Sequence, residues 1–198
     1  MSKLISDQRY MLDTNVFRYK VDSHSNHRTK AKRLWRKILS ELENGEAEIF
    51  VPLEVIRELE IQAYFMNKNE KDRLDQLMDC LVILPESENV FAEHLIRKLS
   101  AYIRKNYKQN VNLLNRGVEY PSISDARILI NAWQNDCTLV TSNIKDYMLF
   151  PLLFEFENQK LYDLITEDFV FIDHISHEII TNDEEFRTLK DELVSVFI

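Results

Sequence analysis

A chain of 198 residues with 45% apolar and 29% charged residues is long enough to bury one core and too apolar to stay disordered. It holds two glycines, Gly45 and Gly117, where average usage would give roughly fourteen. That shortage excludes the Gly-rich loops that cradle phosphate in dinucleotide-binding and Walker-type sites. The net charge of −8 argues against a uniformly basic nucleic-acid binder.

In chain order, residues 1–8 lack an apolar segment of the kind that directs secretion. Short apolar runs that do not alternate with polar residues follow at 10–13, 48–52, 81–85, 138–142 and 169–173. This is the pattern of strands buried on both faces of a parallel sheet. Between them lie apolar stripes spaced by three and four. The first is Ala31, Leu34, Trp35, Ile38, Leu39 and Leu42. The second is Phe91, Leu95, Leu99, Tyr102 and Ile103. The third is Ile128, Leu129, Ala132 and Trp133. Every gap between strands exceeds the dozen residues that a parallel crossover needs. The expectation is an α/β three-layer sandwich around a central five-stranded parallel sheet. Residues 1–198 then form a single domain, with 1–150 as core and 151–198 as a last helix, a last strand and a closing helix over 181–198. Residues 108–121 read as the longest loop. The longest apolar stretch, 148–154, is broken by Pro151 and is too short to span a bilayer, so the expected location is cytoplasmic with no membrane partner. Cys80 and Cys137 sit beside apolar runs and read as buried free thiols.

Open parallel sheets bind ligands beyond the carboxyl ends of their strands. Asp13 closes the first apolar run and is followed by Thr14 and Asn15. Glu54 and Glu58 lie on the helix after Pro52. Thr141, Ser142 and Asn143 close the fourth run, with Asp146 just beyond, and Asp125 opens the helix that leads into it. Asp125 three residues after Ser122 has the spacing of a helix cap, Glu58 of a surface acid, and Asp146 of a cap for the helix that follows. An acid that ends an apolar strand before Thr-Asn has no packing reason to be there. Four such acids in one cleft repel, and two charges about 4 Å apart interact by roughly 4 kcal/mol at an effective dielectric near 20. They must hold protons or bind a cation. Oxygen donors without Cys or His favour Mg²⁺ or Mn²⁺, and such an ion suits phosphodiester hydrolysis.

These residues resemble the PIN-domain nucleases. The motifs are Met11-Leu12-Asp13-Thr14-Asn15-Val16 and Val51-Pro52-Leu53-Glu54-Val55-Ile56-Arg57-Glu58-Leu59. They are followed by Ser124-Asp125-Ala126-Arg127-Ile128 and then Leu139-Val140-Thr141-Ser142-Asn143-Ile144-Lys145-Asp146-Tyr147. The resemblance implies a Mg²⁺- or Mn²⁺-dependent endoribonuclease with Asp13, Glu58, Asp125 and Asp146 as catalytic metal ligands. It also implies a polar second layer of Thr14, Asn15, Thr141 and Asn143. Two alternatives stay open: simple geometry puts Glu54 nearer the strand edge than Glu58, and many members carry an acid where this chain has Asn143. RNA is the implied substrate. For a toxin-type member an antitoxin protein is the implied partner, and an acidic, apolar C-terminal segment is available for a homodimer.

Charge is uneven along the chain. Residues 18–37 hold eight Lys/Arg and one acid, Asp22, so this stretch carries +7 and the remainder −15. Arg18, Lys20, Arg28, Lys32 and Arg36 are the RNA-binding candidates from this stretch, a phosphate rim beside Asp13. Phe17 and Tyr19 are aromatics available to stack on bases. A second basic concentration is Arg97, Lys98, Arg104, Lys105 and Lys108. Two His-x-x-His spacings, His24/His27 and His174/His177, lack a third ligand, and the first pair can join the phosphate rim. Two other functions compete: a catalytically inactive RNA- or protein-binding module of the same fold, and a haloacid-dehalogenase-like phosphatase. The latter needs a second aspartate where this chain has Asn15.

Overall fold

The first apolar run extends as β1 (Gln8–Leu12), whose last three residues are buried. A computed structural model of the chain describes residues 8–85, 89–111, 117–158 and 160–197. The leader expectation at residues 1–7, residues 112–116 of the long loop, and Ile198 lie outside the described residues. Asp13 ends β1 and caps α1 (Thr14–Val21), and α2 (Arg28–Glu43) follows. Beyond α2, Gly45 has φ +74°, its N–H reaches the Leu42 carbonyl, and the Glu46 N–H reaches the Glu41 carbonyl. This paired closure needs a left-handed residue and accounts for one of the two glycines.

The chain continues through β2 (Ala47–Pro52), α3 (Leu53–Ala63), α4 (Lys68–Met78) and β3 (Val82–Leu84). Next come α5 (Val90–Asn106), the short α6 (Lys108–Val111), α7 (Ile123–Gln134) and β4 (Thr138–Thr141). Two 3-10 turns, Ile144–Asp146 and Phe150–Leu153, lead to β5 (Leu161–Asp163), β6 (Asp168–Phe169), α8 (His174–Thr181) and α9 (Glu184–Ser195). None of the described helices is long and apolar enough to cross a membrane.

Among the described residues the sheet has six strands in the order β3-β2-β1-β4-β5-β6, with every pairing parallel except β5–β6. The α/β sandwich with a parallel-dominated sheet is as expected, but the count of five strands is not. The fifth parallel strand is Leu161–Asp163, whose three residues are too few to give a readable period. The run at 169–173 does not follow a helical crossover. It returns through a tight turn with Glu167 at φ +60°, so only Phe169 joins a strand, and that strand is antiparallel. Val170 and Ile172 are buried against the core but lie beyond the strand, the Val170 N–H making one last bond to the Leu161 carbonyl at 2.8 Å. The helix expected before the last strand is the 3-10 turn Phe150–Leu153; the closing helix is α9, as expected, preceded by the unexpected α8. β3 also departs from expectation: as the edge strand it leaves Val82 and Ile83 exposed.

The predicted stripes do face the core. Ala31, Leu34, Trp35 and Ile38 are buried from α2, Leu95, Leu99 and Ile103 from α5, and Ile128, Leu129 and Ala132 from α7; Phe91 is exposed. Phe17 is fully buried edge-on to Trp35, with ring centroids 5.3 Å apart, so it is a core residue and not a base-stacking surface. Cys137 is buried and Cys80 half-buried; both are free. The first strand lies between β2 and β4, where the strand order reverses direction. The crevice beyond the carboxyl ends of β1 and β4 is therefore the position where such sheets bind ligands.

Candidate active site

Asp13 and Thr141 leave adjacent strand ends: Leu12 pairs with Val140, and the Asp13 N–H donates to the Val140 carbonyl at 3.1 Å. Both side chains are buried. Asp13 Oδ1 accepts the Thr14 N–H at 2.6 Å, while Oδ2 accepts the Thr141 hydroxyl at 2.6 Å and the Asn15 amide. Asn15 is fixed in turn, because its Oδ1 accepts the Ser142 N–H at 3.0 Å and its Nδ2 reaches Thr141 Oγ1 at 3.2 Å. Burial pushes the Asp13 carboxyl up to about 7. The Thr141 hydrogen bond opposes that shift, and the nearby charges of Asp125 and Glu58 add to it.

Glu58 projects from the second turn of α3. Its Oε2 accepts the Thr14 hydroxyl at 2.5 Å and its Oε1 accepts the Ser124 hydroxyl at 2.6 Å. Glu54, one turn earlier, is buried and ion-paired to Arg127 at 3.3 Å, and Arg127 also binds Glu93 at 2.6 Å. The pairs Glu54–Arg127 and Glu58–Ser124 run in opposite sequence order. The α3 helix therefore crosses α7 antiparallel, and its second turn meets the N-terminus of α7. This is why the nearer-looking Glu54 is part of an ion network and Glu58 faces Asp13.

Asp125 occupies the third position of α7 in a capping box with Ser122. It also accepts the Ser122 hydroxyl at 2.7 Å and the Tyr147 hydroxyl at 2.9 Å. Asp146 accepts from the Asn143 amide, and the Asn143 N–H donates to Thr141 Oγ1 at 2.9 Å. Burial raises the Asp146 pKa; the Asn143 hydrogen bond opposes this and the Asp125 charge adds to it. The acids thus form a chain of mutual fields, Glu58 and Asp125 acting on Asp13 and Asp125 acting on Asp146. Asn143 and Asp146 occur together, so both alternatives at this corner remain open.

Tyr147 and Ser124 are the participants that sequence reading missed, while Ser122 caps Asp125 as its spacing predicts. Tyr147 is fully buried, and burial together with the charges of Asp13, Asp125 and Glu58 holds its phenol well above the ordinary range, as a donor. Its only sequence signal was its place at the end of the fourth motif. Ser124 sat in the third.

The donor set suits a hard divalent cation in kind, being carboxylate and amide oxygen. Among the described residues no group of three or more His, Cys, Asp or Glu side chains is arranged to hold a metal ion as it stands. Each carboxylate is held by hydroxyl or amide donors instead. Four of those donors, Thr14, Thr141, Ser122 and Ser124, turn about a single bond, and each carboxylate keeps at least one oxygen with a further lone pair. The set fits chemically without being a preformed cage.

On α1, Lys20 lies within the fields of Arg28, Lys32 and Arg36, which are spaced by four along α2. Burial and the charges of these three lower the Lys20 pKa. Arg18 points elsewhere, into a cavity of about 530 Å³ that also includes His24, Phe65 and Glu70. Lys30 donates to the Ile165 carbonyl and Arg33 pairs with Glu167 at 2.8 Å, which ties α2 to the β5–β6 turn. Tyr19 is half-buried, with its hydroxyl 3.3 Å from Ser142 Oγ and its ring 5.0 Å from that of His27. At the far end, His177 is buried with Nε2 3.2 Å from the Phe154 carbonyl, and both His174 and His177 lie edge-on to Phe156.

No family model matches the sequence, and no curated protein matches it. Solved structures similar to the chain include VapBC2 from Rickettsia felis bound to a DNA fragment from their promoter, with TM-score 0.49 and 21% identity over 79% of this chain and 98% of that one. VapBC-1 from nontypeable Haemophilus influenzae has TM-score 0.49 and 16% identity over 80% and 99%. FitAcB from Neisseria gonorrhoeae has TM-score 0.48 and 18% identity over 70% and 91%.

Proposed function

We propose that this chain is a Mg²⁺- or Mn²⁺-dependent endoribonuclease of the PIN type. The observation that carries the reading is Asp13, a buried acid pushed up to about 7 at the point where the sheet order reverses, within the fields of Glu58 and Asp125. Glu54, the buried acid of α3, has Arg127 beside it; the charges acting on Asp13 are those of other acids.

Asp13, Glu58 and Asp125 would hold the ion, with Asp146 or Asn143 at its edge. A divalent ion supplies Lewis acidity toward phosphate oxygen and makes a water nucleophilic near neutral pH. The chain's own residues do the rest. Thr14, Asn15 and Thr141 fix the Asp13 carboxylate, and Ser124 and Thr14 hold Glu58. Tyr147 and Ser122 orient Asp125. Lys20, Arg28, Lys32 and Arg36 neutralise phosphates. We extend this reading to a toxin role with an antitoxin partner, and copurification with the product of the adjacent gene tests that part.

Purified protein cuts single-stranded RNA in Mg²⁺ or Mn²⁺ and stops in chelator; metal-independent cleavage, or none, overturns the reading. Neutralising the ridge as Lys20→Gln, Arg28→Gln, Lys32→Gln and Arg36→Gln together weakens RNA binding. It also flattens the plot of log affinity against log salt by about 3, since each phosphate contact on a single strand contributes about 0.7. Fluorescence anisotropy at several salt concentrations checks this.

A contrast between the two α3 acids separates site from scaffold. Glu58→Gln abolishes cleavage at a near-normal melting temperature. Glu54→Gln retains cleavage but costs about 2 kcal/mol of stability, because Arg127 keeps Glu93 but loses one buried partner. Denaturant unfolding and cleavage rates on both variants check it.

One observation favours a second reading, an RNA-binding module without catalysis: among the described residues no three acids form a cage as they stand. RNA bound tightly but uncut in Mn²⁺ would select it.

A further inference from the structure

The second basic concentration of the sequence, on α5, has no part in the metal site, yet it lies beside it. The segment before α7 carries Tyr120, a residue 48% exposed. Arg97 and Arg104, two turns apart on α5, stand over that ring at 5.9 and 5.7 Å from its centroid. The segment is fixed on three sides. Arg97 Nε donates to the Pro121 carbonyl at 3.1 Å, Arg104 pairs with Glu119 at 3.2 Å, and the Glu119 N–H donates to the Lys145 carbonyl at 2.9 Å. Pro121 leads directly into the Ser122–Asp125 cap, and Glu119 lies close enough to Asp146 for its charge to act there. Lys98 and Lys105, each one position after an arginine, are exposed on the same helix, as is Lys108 beyond it.

An exposed ring clamped in place beside cations, at the rim of a phosphodiester-cleaving site, is the arrangement that takes unpaired bases. The ring offers a face to any base, and the cations follow the backbone. A duplex, whose bases are already stacked, cannot use such a ring. We propose that Tyr120 is a stacking platform for one unpaired base of single-stranded RNA, flanked by Arg97 and Arg104 and next to Asp125 and Asp146. The proposal rests on the ribonuclease reading and adds to it a base-binding position outside the metal site.

The test is anisotropy binding of a short fluorescein-labelled single-stranded RNA, and of its duplex, to the full chain in chelator, so that nothing is cut. Tyr120→Ala weakens single-strand binding about tenfold, while Tyr120→Phe, which keeps the ring, binds like the parent. Duplex binding is unchanged in both. Tyr120→Leu, which keeps bulk without a π face, follows Tyr120→Ala and guards against a folding defect. Unchanged single-strand binding by Tyr120→Ala and Tyr120→Leu, with the parent binding normally, overturns this proposal alone. Equal weakening by Tyr120→Phe also overturns it, by assigning the effect to the hydroxyl. A parent chain that binds no RNA overturns both the proposal and the ribonuclease reading.

Discussion

Asp13→Asn lowers metal-dependent RNA cleavage by about a thousandfold or more, equivalent to about 4 kcal/mol of lost transition-state stabilisation. The substitution preserves shape and removes charge. Asn can keep the Thr14 N–H on its oxygen; the Thr141 hydroxyl and the Asn15 amide lose Oδ2 as acceptor, and the Asn15 amide keeps Thr141 Oγ1, while removal of a buried charge offsets the loss. The fold therefore survives, while the buried negative charge that the site is built around is gone. The loss falls on kcat, because the substrate rim of Lys20, Arg28, Lys32 and Arg36 is untouched. Cleavage kinetics beside a thermal melt check this. A variant that retains full activity shows that the cleavage belongs to another site or another protein.

The same residue sets an unusual pH dependence. In chelator, stability falls as pH rises from about 4 to about 7. The Asp13 carboxyl is raised to about 7 in the folded chain from an ordinary 3.8. Across that window the native state holds a proton that the unfolded state has released, so each increment of pH favours unfolding. Below the window both states are protonated and nothing is lost; above it the penalty is complete. At about 1.4 kcal/mol per pKa unit it amounts to about 4 kcal/mol at most. Asp146, also raised, acts in the same direction. Asp173 and Asp183, whose backbone hydrogen bonds lower their pKa values, act below this window. Asp13→Asn flattens the profile. Saturating Mn²⁺ reverses it, since a cation bound to ionised carboxylates stabilises the folded chain by mass action. Denaturant midpoints near pH 5 and near pH 7.5 decide the matter, and a flat profile in chelator contradicts the burial of an uncompensated acid.

The sequence was most readable where one physical force acts alone. Unbroken apolar runs marked β1, β2 and β4, and the stripes on α2, α5 and α7 marked their buried faces, because burial on a fixed period leaves a fixed period. It was least readable where burial and pairing separate. Val170 and Ile172 are buried without being strand, whereas Val82 and Ile83 are strand without being buried. An apolar run records hydrophobicity, and neither hydrogen bonding nor the direction of the chain. Phe17 shows the same limit: an aromatic near a basic stretch can be core, and only its contact with Trp35 reveals that.

The candidate site was legible as four acids at the ends of separate elements. The identity of the α3 acid was not, because Glu54 and Glu58 differ only in which residue of α7 faces each. A helix crossing angle has no signature in one sequence. Tyr147 was hidden for a related reason, since a phenol that caps a carboxylate looks like any buried aromatic until its hydroxyl has a partner.

The central claim is that Asp13, Glu58 and Asp125 form a divalent-cation site. Calorimetric titration of Mn²⁺ into the chelator-stripped chain tests it most directly. The account predicts saturable binding that is lost in Asp13→Asn and in Asp125→Asn and kept in Glu54→Gln. Absence of binding to the parent chain, or binding that Asp13→Asn and Asp125→Asn leave unchanged, contradicts it.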